Sequence, residues 1–225
     1  MEPSFQGIAQ VTLNGPERNL LNPSVMAEIA QQLRSADEDD AVTGILITGA
    51  GDVFCGGLDV GAIRAGANPV EFATALVALL KIFPRLTKPI AARVNGDAVA
   101  SGASIVAACD YAAAVPSARI GTFEVSIGIW PMVAQVPLIQ RMGARLAMEN
   151  IGAGEPFTAT RAQELGLVNV VAEGPALDSA LAGWLGNAAR GGAAVAAGRP
   201  SLYELAELSY DEALDRSLAK FSEMF

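Results

Sequence analysis

Residues 89–128 read PIAARVNGDAVASGASIVAACDYAAAVPSARIGTFEVSIG, and the rest of the chain is organised around them. The apolar run Pro89–Val94 predicts a short strand, which Asn95-Gly96 turns sharply. The next segment, Ala98–Ala108, consists mostly of small residues, and a helix that begins there presents free N–H groups and a positive dipole. Glu124 is the one carboxylate in the apolar run that follows. Backbone donors beside a half-buried carboxylate favour proton transfer through a stabilised anion.

The composition excludes several classes of function. The chain has 225 residues, of which 52% are hydrophobic and 17% charged, and this predicts a folded protein with a sizeable core. Its net charge of −9 argues against nucleic-acid and anionic-membrane partners. Because the sequence contains no histidine, Ser-His-Asp and Cys-His catalysis are excluded, as is His-ligated zinc. Proton transfer must therefore use carboxylates, Tyr, Lys, Cys or water.

The two cysteines, Cys55 and Cys109, lie far apart in apolar surroundings. They lack the spacing and the partners of a zinc or redox pair. We expect free, buried thiols in a reducing compartment, and hence a cytoplasmic location without a metal site.

Periodicity predicts the elements on either side of the central stretch. Ile8–Leu13 alternates like a strand, and Asn22 is placed to cap a helix that begins at Pro23. The last third of the chain, residues 176–225, has a helical pattern. We expect breaks in it at Gly191-Gly192 and at Gly198–Pro200.

Two motifs resemble those of the enoyl-CoA hydratase/isomerase (crotonase) superfamily. Phe54–Val60, FCGGLDV, matches the family pattern F-x-x-G-x-D-[LIV]. Val94–Gly102, followed by Cys109-Asp110, is similar to V-N-G-x-A-x-G-G-G followed by C-D. The resemblance continues through IGTFEVSIGI, MGARLAMEN and FTATRAQELGLVNVV. It implies an α/β fold with a crotonase-like ββα spiral core over residues 1–172. A shortened helical C-terminal region over residues 173–225 would belong to the same structural unit.

The same resemblance implies an acyl-CoA enzyme that stabilises a thioester enolate with the backbone amides of Leu58 and Ser101. The family's triple glycine reads Ala100-Ser101-Gly102 here, which adds two Cβ atoms beside the anion site. Of the two glutamates typical of hydratases, the first falls at Ser104 and is absent, whereas the second is Glu124. One carboxylate can move a proton from C2 to C4 of a 3-enoyl thioester, so the pattern resembles Δ3-Δ2-enoyl-CoA isomerases. Hydration of a 2-enoyl-CoA and non-catalytic acyl-CoA binding are the alternatives.

The resemblance also indicates where an acyl-CoA would lie. Trp130 and Met132 would line the acyl pocket or pack in the core, and Asp59 fits a helix cap as well as a place beside the ligand. No metal, flavin or nicotinamide is implied, since coenzyme A is part of the substrate, and the family favours a homotrimer or hexamer. The remaining residues expected along the coenzyme are Arg18, Leu20, Cys55, Gly57, Val60 and Gly102.

Overall fold

The computed structural model describes residues 4–223, in which eight strands form two sheets. The main sheet is parallel throughout, in the order β1-β2-β3-β5-β8, and the small sheet has the order β4-β6-β7. In the small sheet β4 and β6 are parallel, whereas β7 is antiparallel to β6. The strands are β1 (Ile8–Leu13), β2 (Gly44–Gly49), β3 (Ile90–Val94), β4 (Ala98–Val99), β5 (Tyr111–Ala114), β6 (Arg119–Gly121), β7 (Phe157–Thr158) and β8 (Val170–Val171).

Helices connect the strands and cover the main sheet. None of those within residues 4–223 is long and apolar enough to cross a membrane. Short 3₁₀ turns lie at Phe83–Arg85 and Glu124–Ile127. The helices are α1 (Pro16–Asn19), α2 (Pro23–Glu38), α3 (Val60–Arg64), α4 (Pro69–Leu80), α5 (Ser101–Ala108), α6 (Gln135–Met142), α7 (Ala144–Ile151), α8 (Ala159–Glu164), α9 (Gly174–Ala189), α10 (Ala193–Leu205) and α11 (Tyr210–Ser222).

Local sequence signals place the first elements. Strand β1 has the predicted bounds, and the side chain of Asn22 accepts a hydrogen bond from the Val25 amide at 3.0 Å, which caps α2 as predicted. All six residues of β2 are buried, which is typical of a parallel strand covered on both faces. The frame of the main sheet thus follows from patterns read over a few residues.

The expected break at Gly198–Pro200 is wrong, because α10 runs continuously from Ala193 to Leu205 with Pro200 inside it. The cause is a tertiary anchor on the preceding residue, Arg199. Its guanidinium donates two hydrogen bonds to the Asp110 carboxylate, at 2.7 and 2.9 Å, and a third to the Leu86 carbonyl. The break at Gly191-Gly192 is confirmed, since α9 ends before it and α10 begins after it.

The Arg199–Asp110 pair joins the C-terminal helices to the N-terminal ends of the inner strands β3 and β5. Only 5% of the Arg199 side chain and 13% of the Asp110 side chain are exposed. Asp110 also accepts hydrogen bonds from the Ile90 amide, at 2.9 Å, and from the Tyr203 hydroxyl. This carboxylate is therefore surrounded by donors, and α10 is fixed against the start of β3.

We expect Arg199→Met to lower the free energy of unfolding by about 3–5 kcal/mol, because it leaves a buried carboxylate without its counter-ion. Urea unfolding followed by circular dichroism measures the change. The control is Arg161→Met, which removes a partner of Glu149 on the surface and is expected to change stability much less. Similar losses in the two variants would contradict a buried anchor at Arg199.

Candidate active site

The first turn of the site is built by Phe54–Val60. Gly57 has a φ of +96°, which favours glycine, and its carbonyl accepts a hydrogen bond from the Leu21 amide at 2.8 Å. The Asp59 amide donates to the Leu21 carbonyl at 2.9 Å. Leu58 is therefore held from both sides, while its own amide donates to no other residue within 4–223.

The second turn joins β4 to α5. Ala100 has φ 53° and ψ −122°, a conformation that side chains disfavour, and its amide donates to the Gly121 carbonyl at 2.9 Å. Ser101 is the first residue of α5, so its amide has no acceptor inside the helix. Among the described residues it has none elsewhere. The strained turn thus leaves the Ser101 amide free at a helix N-terminus.

The two turns lie against each other. A Cβ atom added to Gly57 would be 2.6 Å from the Cβ of Ala100 and 3.7 Å from the amide nitrogen of Ser101. One added to Gly102 would be 2.6 Å from the Cys55 carbonyl oxygen. The structure therefore brings the two predicted donors, the amides of Leu58 and Ser101, into neighbouring turns, as an oxyanion hole requires.

The small sheet brings the segment that leads to Glu124 next to the second turn. Strand β6 pairs with β4 at Val99↔Gly121, and Glu124 follows three residues after Gly121 as the first residue of a 3₁₀ turn. One carboxylate oxygen, Oε2, accepts a hydrogen bond from the Phe123 amide at 2.9 Å. Burial raises the pKa of Glu124, and hydrogen bonds from its own amide and that of Phe123 oppose the rise. A proton acceptor with a raised pKa is suited to general-base chemistry near neutral pH.

Asn150 fixes the segment that leads to Glu124, and sequence reasoning missed it. Its side-chain oxygen accepts hydrogen bonds from the Thr122 amide and hydroxyl at 2.7 and 3.0 Å. Its side-chain nitrogen donates to the carbonyls of Thr122 and Glu155, both at 2.8 Å. This buried amide satisfies the backbone on both sides of Thr122, so Glu124 follows a rigid segment. No local pattern around Asn150 signals this contact, which spans 28 residues.

The position of the first family glutamate holds no second acid. Ser104 is fully buried, and its hydroxyl donates to the Ala134 carbonyl at 2.8 Å. It therefore links α5 to the start of α6. Within residues 4–223, moreover, no group of three or more His, Cys, Asp and Glu side chains could hold a metal ion.

The residues expected along the coenzyme lie around the first turn. Arg18 is half-exposed, and its guanidinium is 3.0 Å from the Asp97 carboxylate. Its backbone carbonyl accepts a hydrogen bond from the Gly56 amide. Gly56 in turn lies against the Leu20 side chain. Asp59 caps α3 through a 2.9 Å bond from the Ala62 amide, and the Val60 amide donates back to Leu58. The Arg18–Asp97 pair was not predicted, since 79 residues separate its members.

Both cysteines are free and buried, as predicted. The Cys55 sulfur accepts from the Gly57 amide at 3.4 Å, and burial raises the pKa of this thiol to about 12. Burial also raises the pKa of Cys109, with the Asp110 charge adding to the rise. Cys55 therefore stays protonated beside the first turn and is no nucleophile.

Trp130 and Met132 lie at the surface. Their exposed fractions are 45% and 69%, and the Trp130 indole donates to Gln135 at 2.9 Å. Of the two roles expected for these residues, packing in the core is therefore wrong.

The sequence pattern of the enoyl-CoA hydratase/isomerase family matches residues 4–216. The chain belongs to this family. It is 35% identical to a putative enoyl-CoA hydratase of Thermus thermophilus over 184 residues, which cover 78% of the chain and 72% of the relative. A peroxisomal bifunctional enzyme of Cavia porcellus is 32% identical over 177 residues. That match covers 77% of this chain but about a quarter (24%) of the longer protein.

Solved structures of the family agree with the fold. The crystal structure of enoyl-CoA hydratase from Mycobacterium smegmatis superposes with a TM-score of 0.90 at 28% identity. The superposition covers 98% of this chain and 88% of the other. The crotonase-type α/β architecture predicted from the two motifs is therefore confirmed, and the chain is a member of this enzyme superfamily.

We expect Ala100→Gly to raise the free energy of unfolding by about 1 kcal/mol, because glycine relieves the unfavourable φ at this turn. Ala103→Gly, three residues later inside α5, is the control and should lower it by about 0.5–1 kcal/mol or more. Chemical denaturation measures both. Destabilisation by both substitutions would mean that Ala100 is not strained.

Proposed function

We propose that this chain catalyses Δ3-Δ2-enoyl-CoA isomerisation through a thioester enolate, with Glu124 as the single proton carrier. Two observations support the proposal: the free amides of Leu58 and Ser101 lie in neighbouring turns, and Glu124, a half-buried carboxylate, follows the strand that pairs with Val99 beside the second turn. Ser104, where a second acid would be needed for the usual hydration chemistry, is engaged with Ala134 instead.

In the proposed reaction, Glu124 removes a proton from C2 of a 3-enoyl thioester. The electron pair of that C–H bond shifts into the thioester, and the charge gathers on its oxygen, where the amides of Leu58 and Ser101 bind it. Glu124 then returns the proton to C4 as the double bond moves to C2–C3. Each preorganised donor is worth on the order of 10²–10³ in rate. The proposed reaction uses no metal or redox cofactor, and coenzyme A is part of the substrate.

Hydration of a 2-enoyl-CoA is the second candidate, and the names of the relatives favour it. The Thermus thermophilus relative is named a putative enoyl-CoA hydratase, and the superposed Mycobacterium smegmatis protein is named an enoyl-CoA hydratase. Hydration benefits from two groups that deprotonate and orient the water, and this chain offers one at the positions of the family pair. A non-catalytic acyl-CoA-binding protein is the third hypothesis for the same site.

A pair of incubations tests the proposal. We expect a 3-enoyl-CoA to become its 2-enoyl isomer without a change of mass, read by chromatography and mass spectrometry. A gain of one water on a 2-enoyl-CoA, with no isomerisation, would replace the proposal by hydration. Binding of both compounds without conversion of either would favour the binder.

We expect Glu124→Gln to abolish turnover while acyl-CoA binding is largely kept, because the amide cannot accept the proton. The matched control is Glu155→Gln, an exposed surface carboxylate. In the wild type, kcat/KM should fall as the pH drops through the pKa of Glu124. Since burial raises that pKa, the fall should begin at a higher pH than an ordinary glutamate gives. Unchanged turnover in Glu124→Gln would remove this residue from the mechanism.

We also propose a homotrimer or hexamer in the reducing cytoplasm, with neither nucleic acid nor membrane as a partner. Helix α11 supports the assembly. Its charged residues Arg216 and Lys220 pair with Glu204 of α10 in the same chain. Leu214 and Leu218, in contrast, are 53% and 66% exposed, and a second copy would cover them. Light scattering on the purified protein measures the assembly, and a monomer at micromolar concentration would contradict it.

A further inference from the structure

One side chain, the carboxamide of Asn150, lies between the second turn and the segment that carries Glu124. Asn150 is 1% exposed and is next to the last residue of α7. Its oxygen accepts from the amide and the hydroxyl of Thr122, and its nitrogen donates to the carbonyls of Thr122 and Glu155. Both donors and both lone pairs of the carboxamide are therefore used.

The first link runs through the peptide group between Gly121 and Thr122. Its N–H donates to the Asn150 oxygen at 2.7 Å, and its C=O accepts from the Ala100 amide at 2.9 Å. Because a trans peptide group is planar and its N–H and C=O point in opposite directions, fixing one end also fixes the other. Asn150 thereby orients the acceptor that holds Ala100, the residue just before the free amide of Ser101.

The second link runs through the next peptide group, between Thr122 and Phe123. Its C=O accepts from the Asn150 nitrogen at 2.8 Å, and its N–H donates to Oε2 of Glu124 at 2.9 Å. The same planarity transmits the position of the carboxamide to the carboxylate. Hydrogen bonds in such a chain also polarise one another, so the bond from Asn150 makes the Phe123 N–H a stronger donor to Glu124.

Close packing around the carboxamide explains why asparagine suits this position. A Cβ atom added to Gly121 would lie 2.8 Å from three side-chain atoms of Asn150, so the carboxamide packs directly against the Gly121 backbone. The loop after α7 also packs against the 3₁₀ turn that begins at Glu124, since a Cβ on Gly154 would be 2.8 Å from the Ser126 amide nitrogen. A carboxylate of the same shape could accept but not donate, and a longer side chain would clash with this backbone.

We propose that Asn150 is a positioning residue that holds both the second turn and Glu124 in their working geometry. The inference rests on the proposed function for the roles of the Ser101 amide and the Glu124 carboxylate. It adds that these two groups are coupled. One carboxamide, bound to two consecutive peptide groups, keeps the anion-binding donor and the proton carrier in a fixed relation through the backbone.

Two substitutions of Asn150 test the coupling by hydrogen–deuterium exchange, read by mass spectrometry on peptides covering residues 96–104 and 120–128. Asn150→Ala removes both links, so we expect exchange to quicken about tenfold or more in both peptides. Asn150→Asp, at about pH 8 to keep the carboxyl group ionised, still accepts from the Thr122 amide but loses both donors. We therefore expect faster exchange in residues 120–128 and little change in residues 96–104.

Turnover is the second readout, measured on whichever enoyl-CoA the wild type converts. Because a misplaced proton carrier lowers kcat, we expect roughly a 10²-fold loss in Asn150→Ala, with KM changed much less. The control is Asn169→Ala, since the Asn169 side chain accepts from the Ala112 amide at 2.9 Å in the main sheet rather than the small one. This control should change neither peptide and should keep kcat. Thermal unfolding of each variant verifies the fold.

The outcomes separate this inference from the proposed function. Faster exchange in both peptides of Asn150→Ala supports the coupling even if the wild type converts no enoyl-CoA. A change confined to one peptide, an unchanged pattern, or the same acceleration throughout the chain overturns it even if isomerisation is observed. Unchanged kcat in Asn150→Ala overturns the positioning role. If Asn150→Ala does not fold, the isosteric Asn150→Asp decides, and exchange that quickens equally in both peptides, or in neither, overturns the inference.

Discussion

The structure depends on the direct contact between two backbone turns, one at Gly57 and one at Ala100. A Cβ atom added to Gly57 would lie only 2.6 Å from the Cβ of Ala100, so no side chain fits between the turns. That closeness keeps the free amides of Leu58 and Ser101 together. The parallel bridge Cys55↔Ala98 and the 2.9 Å bond from the Ala100 amide to Gly121 then fix the turns in register. The cost of the unusual Ala100 conformation, about 1–3 kcal/mol, is offset by these contacts and by the burial of α5.

The absence of histidine in the sequence gives this contact its chemical importance. With no imidazole in the sequence and with burial raising the pKa of the Cys55 thiol to about 12, the proposed reaction takes its charge stabilisation from backbone amides and its proton transfer from a carboxylate. The raised pKa of Glu124 is consistent with its proposed role as the group that transfers the proton. Because Asn150 binds both sides of Thr122, the carboxylate follows a segment whose backbone is already fixed. Because Ser104 is engaged with Ala134 and supplies no second acid, this geometry favours the proposed transfer of one proton within the substrate over hydration.

Sequence reasoning succeeded where the determining interactions are local. The bounds of β1, the Asn22 cap and the two glycine-containing motifs are all read within a few residues. It failed where distant residues meet. The continuous α10 depends on Arg199 and Asp110, which are 89 residues apart, and a glycine-arginine-proline sequence alone predicts a break there. Asn150 was missed for the same reason, since one asparagine among helical residues carries no sign of its partner.

The departure from the family's triple glycine has a steric explanation that separates its three positions. At the third, Gly102, a Cβ would lie 2.6 Å from the Cys55 carbonyl oxygen, so the close approach of the two motifs requires glycine. At the first, Ala100, the methyl group fits and the cost is conformational, through a positive φ. At the second, Ser101, the backbone is already helical, so a side chain carries no such cost. Since neither replacement removes a backbone N–H, the conformational cost falls on Ala100 alone and the Ser101 amide of the proposed anion site is kept.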